Sequence, residues 1–163
     1  MSRLILATLI AFWAVSPAAW AQADPTYDFS QDDPGMNAAI SQARATLEIF
    51  LANTLDDGQS APDTMLKVSI PTARGNEIIW ITPFAQISAT EWVGMLANQP
   101  QFIKGANAGD TVTFDAAQIA DWALIASDGT MYGGYTLREM VASGAVTPDM
   151  IPAMSANPLP ASW

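Results

Sequence analysis

The feature that most constrains this chain is a change of hydrophobic period. Met36, Ala39, Ile40, Ala43, Leu47, Phe50 and Leu51 recur at helical spacing, while Asn37, Gln42, Arg44, Glu48 and Asn53 fall largely elsewhere. From Met65 the period drops to two, with Leu66, Val68 and Ile70 alternating against Lys67 and Ser69. A long helix followed by a run of strands is the signature of an α+β domain, in which helix and sheet are segregated along the chain. The expected architecture is a curved, mostly antiparallel sheet of five or six strands. One long N-terminal helix packs on it, and a short helix stands near the C-terminus.

Local signals place the boundaries. Asp33-Pro34 reads as an N-cap followed by proline at the first helical position, where its missing N–H costs nothing. The helix should run from Pro34 to about Leu55 and end at Asp56-Asp57-Gly58, with Gly58 suited to a left-handed exit and residues 59–63 forming a loop. Pro71 to Asn76 supplies turn chemistry between the Met65 strand and a second strand over Glu77 to Thr82, so the two form an antiparallel hairpin. Pro83 is expected to end that strand, leaving Phe84 to Ser88 as a short continuation or edge. Glu91 to Leu96 reads as a further strand in which Gly94 marks a bulge or a close backbone approach. Thr111 to Phe114 is another, after which Asp115 caps a short turn over Ala116 to Ile119.

The densest stretch is Ile119 to Met140. Trp122 to Ala126 and Thr130 to Tyr132 form a hairpin across Ser127-Asp128-Gly129. Gly133-Gly134 reads as a tight turn needing positive φ. Thr136-Leu137-Arg138-Glu139 matches a capping box, flanked by Tyr135 and Met140 at staple positions, and opens a helix from Leu137 to about Ser143 that Gly144 closes. Residues 145–163 carry Pro148, Pro152, Pro158 and Pro160, and are expected to be extended, and disordered unless Met150, Ile151, Met154 or Trp163 docks on the domain.

The first residues place the domain in a compartment. One positive charge at Arg3, an apolar run from Leu4 to Val15, and small residues at Ala19 and Ala21 make a secretory signal peptide over residues 1–21, with cleavage near Ala21 or alternatively after Ala23. The run is too short for a retained span, which needs roughly 20 apolar residues. Residues 22–33 form a flexible leader, 34–144 a single domain and 145–163 the proline-rich tail. The mature product is expected to be periplasmic or secreted, monomeric and free of the membrane. The chain has no cysteine, so it can form no disulfide and carry no N-terminal lipid on that residue. Histidine is absent too, which removes Ser-His-Asp and Cys-His triads, an imidazole base and the ordinary zinc or copper(II) sites. With 16 acidic against 6 basic residues and a net charge of −10, the chain repels phosphate backbones, and no nucleic-acid partner is expected. No metal and no cofactor are expected.

Several quoted stretches, taken in order, resemble the YegJ-like family, the exported branch of domain of unknown function 2314. They are ARATLEIF at Ala43 to Phe50, LKV at Leu66 to Val68, Glu77 and Trp80 as E-x-x-W, and Gly94 to Pro100 as G-x-L-x-N-x-P. GDTVTF at Gly109 to Phe114, IADW at Ile119 to Trp122 and GGYTLR at Gly133 to Arg138 complete the set. Relatives carry histidine after the glutamate, as Glu-His-x-Trp, where this chain has Ile78. The resemblance covers about Asn37 to Arg138 and implies a fold and a compartment but no reaction.

Candidate site residues follow from chemistry that local architecture leaves over. Arg138 is a cation in the first turn of its helix, where the dipole disfavours it, so an acid should hold it there: Asp110, Asp121 or Glu77. Trp80, Trp92 and Trp122 read first as core, but one of them lining an open groove near Arg138 would suit a sugar, a peptide or an anionic small molecule, and Tyr135 stands close to it in sequence. The ligand-binding set is therefore Arg138, Trp80, Trp122, Glu77, Asp121 and Tyr135. No catalytic residue is assigned; Asp110, Asp115, Asp121 and Asp128 each sit where turns and caps favour aspartate. The leading expectation is a non-catalytic binding or interaction module for a protein or small molecule. An inhibitor or immunity-type protein for a basic partner is the alternative, followed by a carboxylate-dependent hydrolase.

Overall fold

The computed structural model describes residues 33–163, so the expected signal peptide and all of the leader but Asp33 lie outside the described residues. Helix α1 spans Pro34–Thr54. Asp33 Oδ1 accepts the Met36 N–H at 2.8 Å, as the N-cap signal requires. Met36, Ala39, Ala43, Phe50 and Thr54 are the buried residues of α1, of which Ala39, Ala43 and Phe50 belong to the cluster shared with the sheet and Met36 to the one shared with the C-terminal helix.

The exit from α1 differs from expectation. Leu55 is extended (φ −94°, ψ 133°), and the chain enters a miniature hairpin of β1 (Leu55–Asp56) and β2 (Gln59–Ser60). Asp57 (φ 47°) and Gly58 (φ 75°) are its two central residues. Two successive left-handed residues match the twist of a two-residue hairpin, so Asp-Gly serves a strand turn here and not a helix cap.

Strands β3 (Thr64–Thr72) and β4 (Gly75–Gln86) make the expected hairpin, in register from Leu66 opposite Ile81 to Thr72 opposite Gly75. Pro83 does not end β4. The strand passes through a cis Thr82-Pro83 bond, and its register with β5 (Glu91–Leu96) shifts between Ile81 and Phe84. That irregularity accommodates a residue with no N–H to give to a ladder. Gly94 lies opposite Phe84, where a Cβ would overlap Ile81 Cγ2 and stand 2.9 Å from the Pro83 carbonyl oxygen, which is the close approach the sequence signalled.

Strand β6 (Thr111–Asp115) pairs with β5, β7 (Ile119–Ile125) with β3, and β8 (Met131–Gly133) with β7, all antiparallel. The path runs β1-β2-β4-β3-β7-β8, with β5 and β6 attached at the far half of β4. The fold is α+β as expected: β3 to β8 are the principal strands, and the two-residue β1 and β2 bring the sheet to eight. Helix α2 (Tyr135–Ala142) follows β8.

Both faces of the sheet are covered. On one, Phe50 and Ala43 of α1 pack on Leu66, Val68, Ile79, Ile81 and Trp122. On the other, Leu137 and Met140 of α2 pack on Met65, Trp80, Ala123 and Met131. Lys67, on the polar side of the alternation, is therefore buried with 6% exposure and not half-solvated. Alternation says which residues share a face; what covers the second face depends on elements about 70 residues further along.

The tail docks through three of the four residues named for that role, with Ile151 and Met154 on the α2-side cluster and Trp163 on the α1-side one, while Met150 is exposed. Met154 bridges to Met131, extending the sheet beyond β8 by one parallel contact, and Trp163 packs on Phe50 and Trp122.

Candidate functional site

Strand register divides the four candidate residues that lie on strands between the two faces. Asp121 on β7 stands opposite Lys67 on β3, which stands opposite Trp80 on β4, so these three share the α2 face. Glu77 stands opposite Ile70, in phase with Val68 and Leu66, and so belongs to the α1 face with Trp122 and Tyr135. The structure does not gather them into one groove.

Asp121 is the most enclosed carboxylate, with 1% exposure. Its Oδ1 accepts the Trp122 N–H at 2.8 Å, and its Oδ2 accepts both the N–H and the hydroxyl of Thr136 at 2.7 Å. Thr136 is the second residue of α2, so a carboxylate from β7 does at this helix start what an N-cap side chain ordinarily does, and its charge is favourable against the helix dipole. Burial pushes the Asp121 carboxyl above its usual value of 3.8; the Thr136 hydrogen bonds, the Lys67 charge and the Trp122 N–H act in the opposite direction. Lys67 Nζ also lies 5.0 Å from the Trp80 ring centroid, within cation–π range. The Trp80 indole N–H finds no acceptor among the described residues.

The expected capping box is thereby corrected. Helix α2 begins at Tyr135, its N-cap is Gly134 in the left-handed region (φ 61°), and Thr136 is inside the helix with its hydroxyl on Asp121. Glu139 does not reach back along α2. Its carboxylate lies against Gly35 in the first turn of α1, where a Cβ would overlap it. Gly133 and Gly134 both have positive φ, as expected of the tight turn.

Among the described residues, Arg138 faces no acid at hydrogen-bond range. Nε donates to the Gly133 carbonyl at 2.7 Å, Nη1 to the Ser155 carbonyl at 2.8 Å, and Nη2 to Ser155 Oγ at 3.4 Å. The expected ion pair with Asp110, Asp121 or Glu77 is replaced by this grip on main-chain oxygens. Asp121 has already committed its oxygens to Thr136 and Trp122, while the Gly133-Gly134 turn leaves the Gly133 carbonyl within reach. Partial burial lowers the guanidinium pKa from its usual value, with Tyr135 and Asp121 opposing at longer range. Arg138→Ala is expected to lower stability by about 1 kcal/mol and to loosen residues 153–158. Thermal unfolding together with hydrogen exchange at Met131 and Gly133 checks both effects.

Glu77, with 7% exposure, fastens a loop. Oε1 accepts the Gln101 N–H at 2.6 Å, and Oε2 accepts those of Phe102 and Ile103 at 2.8 and 3.0 Å. Glu77→Ala leaves three amides without that acceptor and is expected to cost about 2 kcal/mol in urea unfolding. Amide exchange at residues 101–103 should accelerate first.

Trp122 and Tyr135 belong to an aromatic layer. Trp122 stacks on Phe50 (4.7 Å between centroids, 18°) and meets Tyr135 edge-on (5.9 Å, 70°). Its Nε1 donates to Thr46 Oγ1 at 3.0 Å and the Ala43 carbonyl at 3.2 Å, and Thr46 Oγ1 also hydrogen-bonds the Tyr135 hydroxyl at 3.1 Å. Thr46 thus joins α1, β7 and α2. The other acids keep to turns: Asp110 Oδ2 accepts the Asn107 N–H, Asp128 Oδ1 accepts the Thr130 N–H, and the Asp115 main-chain N–H donates to Gln118 Oε1.

Lys67, Thr136 and Thr46 are the polar members of these constellations that sequence reasoning did not select. A lysine flanked by Leu66 and Val68 in mid-strand was the available signal for the first. Thr136 carried a local signal, but one for a capping box within α2 and not for Asp121, and nothing local marks Thr46.

No curated protein and no solved structure matches the chain. Residues 33–147 match the family described as an uncharacterised protein conserved in bacteria, domain of unknown function 2314, a stretch that takes in every element from α1 to α2. The chain belongs to that family.

Proposed function

We propose that this chain is an exported, non-catalytic binding module. The observation carrying the proposal is the placement of the two buried carboxylates among the described residues. Asp121 and Glu77 lie on opposite faces of the sheet by register, and each is engaged by three main-chain or hydroxyl donors. A glycosidase-type pair needs two carboxyl groups flanking one bond, roughly 5 to 10 Å apart, so this arrangement speaks against the hydrolase reading. Export is supported by the signal-like pattern of residues 1–21. The net charge of −10 favours, as a second reading, an inhibitor or immunity-type protein for a basic partner.

The test has two parts. N-terminal sequencing of the mature protein from a periplasmic fraction is expected to begin after Ala21 or Ala23. Immobilised full-length mature chain, together with a variant whose tail is weakened, is then incubated with periplasmic extract. A stoichiometric partner supports the module, and its loss at high salt supports the second reading. Retention of nothing by either form contradicts both.

A further inference from the structure

Residues 151–163 lie on the domain in the manner of a bound peptide. The Met131 N–H donates to the Ala153 carbonyl at 2.8 Å, the Ser155 N–H to the Met131 carbonyl at 3.0 Å, and the Gly133 N–H to the Pro158 carbonyl at 2.8 Å. Arg138 adds its bond to the Ser155 carbonyl. Strand β8 is thereby paired on its outer side by main-chain bonds, which is how extended peptides add to a sheet edge. Side chains read both faces: Ile151 and Met154 pack on the α2-side cluster, while Leu159 and Trp163 pack on the α1-side cluster. Trp163 sits 6.2 Å from Phe50 and 5.9 Å from Trp122, centroid to centroid.

Two observations distinguish this segment from the core. Its receiving groups, Phe50, Trp122, Met131, Gly133 and Arg138, lie within the residues matched to the family, whereas 148–163 lies outside them. No residue from 147 to 163 is buried, and Thr147, Pro148, Asp149 and Met150 are all exposed, so the segment is joined through a four-residue exposed link. Few buried contacts and a solvated link are the marks of a segment that opens without global unfolding.

We infer that the β8 edge, with the Phe50 and Trp122 wall, is a strand-addition site for an extended, proline-bearing peptide of a separate protein, and that residues 151–163 are its in-cis competitor. The ligand class follows from the resident occupant. It is a segment free to pair through its main chain, with a methionine-like apolar side chain at the Met154 position and an aromatic at the Trp163 position. Tethering gives the resident segment an effective concentration of order millimolar, so a partner gains access only by outcompeting it. This inference rests on the binding-module reading.

The probe is a fluorescein-labelled synthetic peptide of residues 150–163, titrated by anisotropy into the full-length mature chain and into its Met154→Ala/Trp163→Ala variant. The variant keeps the groove and weakens the competitor, so it should bind the probe at least about tenfold more tightly than the unaltered chain, with unlabelled peptide displacing it. Equal or absent binding by a variant with native near-ultraviolet circular dichroism would overturn the inference. So would conversion of the variant into a dimer by light scattering, which would give the groove to a second copy. Hydrogen exchange on the unaltered chain tests the opening directly: the Met131 and Gly133 amides should exchange faster than those of Leu66 and Val68. Exchange of all four only on global unfolding would also overturn it. Probe binding without any partner from extract would leave the groove assignment standing and remove the binding-module reading. A captured partner with no probe binding would do the opposite.

Discussion

Asp121→Ala is expected to destabilise the domain by about 3 to 5 kcal/mol, the range for removing one member of a buried charged constellation. Four groups lose their counterpart at once: the Trp122 N–H, the Thr136 N–H, the Thr136 hydroxyl and the Lys67 charge. Lys67 has 6% exposure and stands opposite Asp121 in register, so the substitution removes an acid beside a buried cation. Urea unfolding of the variant at neutral pH is the check, and a shift within about 0.5 kcal/mol of the unaltered chain, the range of an ordinary surface change, would contradict it.

Asp121→Asn separates charge from shape and carries a pH signature. Burial raises the folded-state pKa of Asp121 above its ordinary 3.8. Between 3.8 and that raised value the unfolded chain has released this proton while the folded chain retains it. The folded state then binds more protons, so the Asp121 contribution to stability is greatest below 3.8 and declines as pH rises toward the folded value. The asparagine variant cannot titrate there. Stability of the unaltered chain relative to Asp121→Asn should therefore fall as pH rises through this window, and a flat or rising difference would contradict the assignment.

Trp122→Ala should cost about 3 to 5 kcal/mol, the usual range for truncating a fully buried tryptophan. Trp122 has no exposure and contacts the rings of Phe50, Tyr135 and Trp163. Trp122→Phe restores most of the apolar contact but removes the indole donor to Thr46 Oγ1 and the Ala43 carbonyl. It should recover more than half of the loss in thermal unfolding. Full recovery would mean that the hydrogen bond to α1 contributes nothing.

How much of this was legible depends on the range of the interactions. The Asp33 cap, the α1 stripe, the β3–β4 hairpin and the Gly94 close approach rest on residues near one another in sequence or on a single backbone requirement, and local spacing anticipated them. The Thr136 and Glu139 box matched the local template and was still wrong. Asp121, fifteen residues earlier, takes the Thr136 donors, and Gly35 at the start of α1 receives Glu139. Local spacing cannot weigh a partner brought by strand pairing against one three residues away. Pro83 misled for a related reason, since a register shift lets β4 continue through it. The candidate set contained true structural ties, but its expected convergence on Arg138 required Glu77 and Asp121 to share a face. Strand register sends them to opposite ones.

Asp121 fastens the start of α2 to β7 through Thr136. A double-mutant cycle on Asp121→Ala and Thr136→Val by urea unfolding tests it most directly, because the valine keeps the shape of Thr136 and removes only the hydroxyl bonded to Asp121 Oδ2. The expected coupling is above about 1 kcal/mol, as for residues sharing one hydrogen-bond network. Additivity of the two substitutions to within about 0.3 kcal/mol, the behaviour of independent sites, would contradict it.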